Sequence, residues 1–280
     1  MKGLVIKKNA NLFSVEEIST GKVFHLNASG KTQNSGIFVG DYVIFDKNIE
    51  KVEERKNVLI RPPICNLDIM FIVLSCVPKP DLVLVDKMIV YCFVKGIKPI
   101  IVINKIDKAE NSFVENIKNT YNKVASILTV SAKNGQIEGL IENIKGITAF
   151  AGQSAVGKSS LINAIFSKNM ARVDGLSSKI QRGKQTTRLV QLYKVGQGYI
   201  ADTAGFSMLA LDYVTDLEPR ELSSYYPDFL TARAKCKYRS CLHESGECGV
   251  INMVKEEKIS SIRYQNYLKI LQELKSRKKY

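Results

Sequence analysis

Along the first 62 residues the apolar positions come in short runs, Gly3 to Ile6, Val23 to Leu26, Gly36 to Val39 and Asp41 to Phe45, broken by Gly, Asn and Ser. Short runs separated by turn residues predict the strands of a small β-barrel. Arg61-Pro62-Pro63 then stiffens the chain and disfavours both helix and central strand, which marks a domain boundary after residue 62. From residue 63 the texture changes to long apolar stretches, Ile69 to Cys76, Ile100 to Asn104, Ile127 to Ser131, Ile147 to Gly152 and Tyr199 to Asp202. Between them the amphipathic segments Leu82 to Val94, Ser112 to Val124, Ile137 to Ile144 and Lys158 to Phe166 read as helices. Apolar strands alternating with such helices predict a doubly wound, mainly parallel sheet covered on both faces, spanning residues 63–210. The remainder, 211–280, holds a Cys/His cluster at 236–248, and from Val250 to the end it reads as helix with a basic tail. The fold class expected is therefore a multidomain α/β protein.

The chemistry is densest where an apolar strand gives way to a helix. Gly152-Gln153-Ser154-Ala155-Val156-Gly157-Lys158-Ser159 satisfies every fixed position of the phosphate-binding P-loop and has the required strand before it and helix after it; Ser160 continues that helix. Glycines let backbone N–H groups face the phosphates, Lys158 brings a point charge to the β and γ groups, and the Ser159 hydroxyl suits Mg²⁺. Asp202-Thr203-Ala204-Gly205 follows the last apolar strand, so Asp202 can hold Mg²⁺ through water and Gly205 can offer its N–H to the γ-phosphate. Between these motifs, residues 168–188 carry six Lys/Arg against one Asp, and a hydroxyl of Thr186 or Thr187 there can complete the metal shell.

Two further loops read the base. Asn104-Lys105-Ile106-Asp107 ends one strand and Ser131-Ala132-Lys133 ends the next. The Asp107 carboxylate matches the N1–H and N2 amino group of guanine, which adenine lacks, so it selects GTP over ATP. Asn104 suits the base edge, the Lys105 stem the ring face, and a backbone N–H of the Ser131 loop the guanine oxygen. The order along the chain is base loops, P-loop, Mg²⁺ threonine, then Asp-x-x-Gly, a rotation of the usual order. A doubly wound sheet tolerates it, since ligands bind at the carboxyl ends of strands whatever the connection.

These motifs and their order resemble the circularly permuted ribosome-assembly GTPases of the RsgA family over nearly the whole chain. The resemblance implies an N-terminal OB-fold barrel (1–62), a permuted P-loop GTPase domain (63–210) and a C-terminal zinc-binding helical domain (211–280). It also implies action on the small ribosomal subunit late in its maturation and contact with rRNA through the barrel; separately, a monomeric cytoplasmic protein is expected. Cys236, Cys241, His243 and Cys248 supply four N/S donors within thirteen residues, the set of one closed structural Zn²⁺ site. The loop from His243 to Cys248 is one residue shorter than the family pattern. Gln185 stands where many members carry histidine, and Phe206 follows Asp-x-x-Gly where a water-orienting glutamine stands in Ras-type enzymes, so Gln185 becomes the internal candidate for that role; with Lys158 at the phosphates and Thr187 at the metal it makes up the expected catalytic set.

Composition constrains the rest. The 280 residues are 45% hydrophobic with no apolar stretch of membrane-spanning length, and the start, Met1 to Ile6 followed by Lys7-Lys8-Asn9, has no signal-peptide pattern. Cys65, Cys76 and Cys92 lie in or beside apolar segments and read as core residues, and His25 reads as structural. The balance of 41 Lys+Arg over 27 Asp+Glu, net +14, suits a polyanionic partner, although a merely solubilising basic surface gives the same count. Three readings remain distinct: a GTPase coupled to the small subunit, an RNA-binding assembly factor that holds GTP without turnover, and a P-loop kinase or ATPase, the last disfavoured by Asp107.

Overall fold

The computed structural model describes residues 1–33, 36–60, 62–172, 190–202 and 217–276. The N-terminal strands are β1 (Lys2–Asn9), β2 (Leu12–Glu17), β3 (Val23–Asn27), β4 (Tyr42–Phe45) and β5 (Ile49–Val52), with one helical turn, α1 (Gly30–Gln33), between β3 and β4. β1 pairs with β2 and β4, β2 with β3, and β4 with β5, all antiparallel; a parallel bridge from Ala28 to Ile49 closes the ring. That closed five-stranded order is an OB-fold barrel. Val5, Phe13, Val15, Leu26, Val43, Phe45 and Ile49 fill it. Gly3 is required by this packing, since a Cβ there would lie 2.4 Å from Val15 Cγ1.

Two departures from expectation concern the barrel. Gly36 to Val39 forms no strand and contributes only a bridge from Val39 to Ile64. β2 and β5 fall where no apolar run was visible, because Ser14, Glu16, Glu17, Glu50 and Lys51 interrupt the pattern. Pro62 and Pro63 occupy the turn of a short hairpin, β6 (Val58–Leu59) and β7 (Ile64–Cys65).

The second layer system is built on β8 (Leu67–Ser75), β9 (Lys98–Asn104), β10 (Ser126–Thr129), β11 (Gly146–Ala151), β12 (Gln191–Val195) and β13 (Gly198–Asp202). In space the order is β10-β9-β8-β11-β13-β12, parallel from β10 to β13 with β12 antiparallel. The chain enters at the middle, steps out to the β10 edge and returns to β11 beside β8. The strand order therefore reverses between β8 and β11, and a crevice opens at their carboxyl ends. Helices α2 (Leu82–Val94) and α3 (Asn111–Tyr121) cover one face, where Met88, Ile89, Cys92 and Tyr121 meet Met70, Ile72, Leu74, Ile101 and Ile103. Helices α4 (Glu138–Glu142) and α5 (Lys158–Arg172) cover the other, where Leu140, Leu161 and Ile165 meet Phe71, Val73, Ile100, Val102 and Phe150. Alternate residues of β8 and β9 thus serve opposite cores, the cause of their unbroken apolar runs. Cys65 and Cys92 are buried as expected, whereas Cys76 is only half-buried at the end of β8, and His25 lies exposed on β3 beside Ser14.

Beyond residue 216 come two 3₁₀ turns, Pro219–Tyr225 and Pro227–Phe229, and helices α6 (Leu230–Arg233), α7 (Gly249–Lys255) and α8 (Ser261–Ser276). The helix expected from Val250 to the end is broken at 256–260, where Glu257 adopts φ 57°. This domain packs Leu222, Tyr226, Phe229, Tyr267 and Leu271 into its own core, which α2 joins through Val90. No described helix is long and apolar enough to cross a membrane.

Candidate functional site

The P-loop wraps at the crevice between β8 and β11. Gly152 has φ 137° and a Cβ there would meet Val73 O at 2.2 Å; Gly157 has φ 98° and its Cβ would meet Asn104 Nδ2 at 2.3 Å. Both glycines are therefore imposed by backbone sign and by close approach. Ala155 takes the same left-handed region at φ 63°. Lys158 opens α5 and folds its ammonium into the curl, donating to Gly152 O at 2.7 Å and Gln153 O at 2.8 Å; burial lowers its pKa. Val156 is buried beneath the loop, while Ser154, Ser159 and Ser160 are exposed.

Asn104 ties three loops together. Its Nδ2 donates to Val156 O of the P-loop at 2.9 Å, and its Oδ1 accepts from Ala132 N at 3.2 Å. One amide N–H remains for a base edge. Lys105, at φ 61°, extends over the P-loop, with Nζ donating to Ala155 O and Val77 O at 2.8 Å each. Asp107 is exposed, and its Oδ1 accepts from the buried Ser131 hydroxyl at 2.6 Å. That bond, then the nearby Lys133 and Lys108 charges, hold its pKa below the usual carboxylate range, so Asp107 is an acceptor at neutral pH. Ser131 Oγ in turn accepts from Asn134 N.

Asp202 ends β13 as expected, paired with Gln191. Gln185, Thr186, Thr187 and Gly205 lie outside the described residues. Two contributors escaped the motif reading. The Val77 carbonyl receives Lys105, and Asp81 N donates to Gln153 Oε1 at 3.2 Å while the Asp81 side chain caps α2 through Leu84 N. The cap itself was visible in Pro80-Asp81 before an apolar helix; its bond to the P-loop was not.

A second constellation lies in the C-terminal domain. Cys236, Cys241, His243 and Cys248 bring their donor atoms within 4.8 Å of one another. A tetrahedron with Zn–S about 2.3 Å and Zn–N about 2.0 Å has S···S edges of about 3.8 Å and S···N edges of about 3.5 Å. The Cys236 to Cys248 sulfur separation is 3.8 Å, and His243 Nδ1 lies 3.5 Å from Cys236 Sγ and 3.3 Å from Cys248 Sγ. Burial, then Arg233, lowers the His243 pKa to about 4, leaving the neutral imidazole that a metal requires. Tyr264 and Tyr267 hydroxyls fix the loop by donating to His243 O and Leu242 O, both at 2.9 Å. The residues thus fit a zinc site.

A P-loop motif and two strand-end loops tied by one asparagine, with a close Cys/His cluster downstream, narrow the comparison. The RsgA GTPase family model matches residues 52–212. The chain belongs to the RsgA GTPase family. It is accordingly a GTP hydrolase. A second family model, that of a 50S ribosome-binding GTPase, matches residues 147–278, the stretch from the P-loop strand onward. "Small ribosomal subunit biogenesis GTPase RsgA" from Geobacillus sp. (strain WCH70) is 38% identical, covering 99% of this chain and 98% of the relative. "Small ribosomal subunit biogenesis GTPase RsgA 2" from Listeria monocytogenes is also 38% identical, covering 99% of each. Among solved structures, YjeQ from Thermotoga maritima superposes with TM-score 0.85 at 33% identity, covering 99% of both chains. YloQ, described as a circularly permuted GTPase, gives 0.82 at 32% identity, covering 100% of this chain and 96% of its own. The RsgA resemblance, the permuted order and the fold class read from the sequence are borne out.

Proposed function

We propose that this RsgA family member hydrolyses GTP to GDP and phosphate during late maturation of the small ribosomal subunit, and that the subunit stimulates the reaction. The observation that carries the reading is the Asn104 tie, which holds a guanine-reading loop against a phosphate loop in a chain whose full-length relatives bear the small-subunit name. Asp107 reads the guanine N1–H and N2 amino group, the second Asn104 N–H the base edge, and Ala132 and Lys133 flank the guanine oxygen. Gly152 to Ser160 cradle the phosphates, and Gly205 offers its N–H to the γ group. Ser159, Asp202 and Thr187, or Thr186 in its place, would hold Mg²⁺, which would supply compensation of the negative charge on the nucleotide phosphates. Gln185 orients the attacking water, since Phe206 has no group to do so.

The barrel contacts rRNA, a role supported by the net charge of +14 and by the nucleic-acid-binding record of its fold. The protein works as a monomer in the cytoplasm. Turnover assayed with purified small and large ribosomal subunits tests the reading directly. Strong stimulation by the small subunit alone is expected; stimulation by the large subunit instead would transfer the reading to the partner named by the second family model. In the same assay Gln185→Ala is expected to lose on the order of 10²-fold in stimulated turnover. Retention of full turnover would remove Gln185 from the mechanism.

Cys236, Cys241, His243 and Cys248 hold one structural Zn²⁺. Metal analysis after extensive dialysis is expected to find about one zinc per chain, lost in Cys241→Ser together with the folding of the helical domain. A stably folded wild type without metal would refute the assignment.

A further inference from the structure

Among the described residues, one ladder pair joins the barrel to the GTPase sheet. Lys7 of β1 pairs with Gln191, the first residue of β12, and Gln191 pairs with Asp202, the last residue of β13. A single row of three residues thus runs from the barrel to the aspartate assigned to the metal, about 10 Å across two strand spacings. One ladder pair is a weak joint, and a side chain reinforces it. Glu16 of β2, 8% exposed, accepts on one carboxylate oxygen from Lys194 Nζ at 2.9 Å and from the Tyr199 hydroxyl at 2.8 Å. Lys194 lies on β12 and Tyr199 on β13, directly opposite each other. One barrel carboxylate therefore grips both strands of the hairpin that ends in Asp202. Burial and the Glu16 contact raise the Tyr199 pKa, so the phenol remains a donor.

The other seam between the two domains leaves this hairpin untouched. There Asn66 Nδ2 donates to Gly40 O at 2.9 Å, Cys65 N to Val39 O at 3.0 Å and Cys65 Sγ to Asp41 Oδ1 at 3.0 Å. Gly40 packs so closely that a Cβ would stand 2.2 Å from Cys65 O. That seam keeps the barrel attached when the Glu16 grip is removed, so attachment and coupling are separable.

We propose that Glu16 is a positioning residue for subunit-stimulated hydrolysis: through Lys194 and Tyr199 it holds the turn end of the β12–β13 hairpin to the barrel, so that engagement of the barrel by RNA is transmitted along the hairpin to Asp202 at its other end. The proposal rests on the reading of the barrel as the RNA-contacting domain. It is tested by GTP turnover with and without purified small ribosomal subunits, and by subunit affinity measured by co-sedimentation with a non-hydrolysable GTP analogue. In Glu16→Ala, basal turnover and subunit affinity are expected to stay at the wild-type level while subunit-stimulated kcat falls at least about fivefold. Glu16→Gln, which keeps an acceptor oxygen for both donors, retains most of the stimulation, and Tyr199→Phe, which removes one hydroxyl, loses part of it. Full stimulation in both Glu16→Ala and Tyr199→Phe overturns the proposal. So does a loss of stimulation matched by an equal loss of basal turnover or of subunit affinity, because Glu16 would then be only a structural contact. A wild type that the subunit fails to stimulate overturns the ribosomal reading itself, and this proposal with it.

Discussion

Replacing Asp107 by asparagine is expected to weaken GTP binding on the order of 10²-fold or more and to give the protein a preference for xanthosine triphosphate. The guanine edge offers two donors, N1–H and the N2 amino group, and the Asp107 carboxylate offers two acceptors. Ser131 leaves that arrangement intact, because its hydroxyl takes only part of the capacity of Oδ1 and holds the carboxylate ionised and in place. An asparagine turns one acceptor into an amide donor, which then faces a donor of guanine with nothing to bond. Xanthine carries an oxygen where guanine carries the amino group, so the amide finds a partner there. Competition of GTP, ATP and xanthosine triphosphate against a fluorescent GTP analogue, on wild type and Asp107→Asn, reads the outcome. Undiminished GTP affinity in the variant would remove Asp107 from the base site.

The nucleotide site was legible because its chemistry sits in contiguous fixed positions whose residue types are imposed by backbone sign and close approach. Gly152 and Gly157 illustrate this: each has a positive φ and neighbours within 2.3 Å of a would-be Cβ, so no other residue fits and the motif must appear in the sequence. What stayed hidden was whatever joins positions distant in the chain. Asn104 reads as a base ligand, yet half of its hydrogen bonding serves to hold the P-loop at Val156, fifty-two residues later. Glu16 reads as a surface acid that interrupts a strand, and only its meeting with Lys194 and Tyr199 explains its burial. β12 was missed for a related reason, since Gln191 and Lys194 break its apolar run. The break at 256–260 carries neither proline nor glycine, and Glu257 enters the left-handed region without any local signal.

Arg263→Ala is expected to destabilise the protein by about 3–5 kcal/mol, the cost of breaking a buried ion pair by removing one partner. Arg263 is 1% exposed and joins α8 to both the GTPase domain and its own domain. It pairs with Asp86 of α2, donates to both Asp228 oxygens at 2.8 and 2.9 Å, and stacks 4.7 Å from the Tyr226 ring centroid. Without the guanidinium two carboxylates remain inside, and Asp86, which no solvent reaches, keeps only Asn266 Nδ2 at 2.6 Å and the Tyr121 hydroxyl at 3.2 Å. Burial already raises the Asp86 pKa from 3.8 to about 6, with Arg263 the largest influence opposing it. An acid whose folded pKa exceeds its unfolded value binds more protons when folded, so its contribution falls as pH rises through the window from about 4 to 6 and is level above it. Losing Arg263 pushes the folded pKa further up and carries that falling window past pH 6. The deficit of the variant is therefore expected to be largest near pH 8 and to shrink toward pH 5, where Asp86 is neutralised in place. Urea unfolding of both proteins at the two pH values, read as the difference between them, measures this. Adding Asp86→Asn to the variant should recover part of the loss at pH 8, because the amide keeps the hydrogen bonds and carries no charge. A deficit equal at both pH values, with no recovery in the double variant, would mean that Arg263 contributes packing along its aliphatic stem rather than charge compensation.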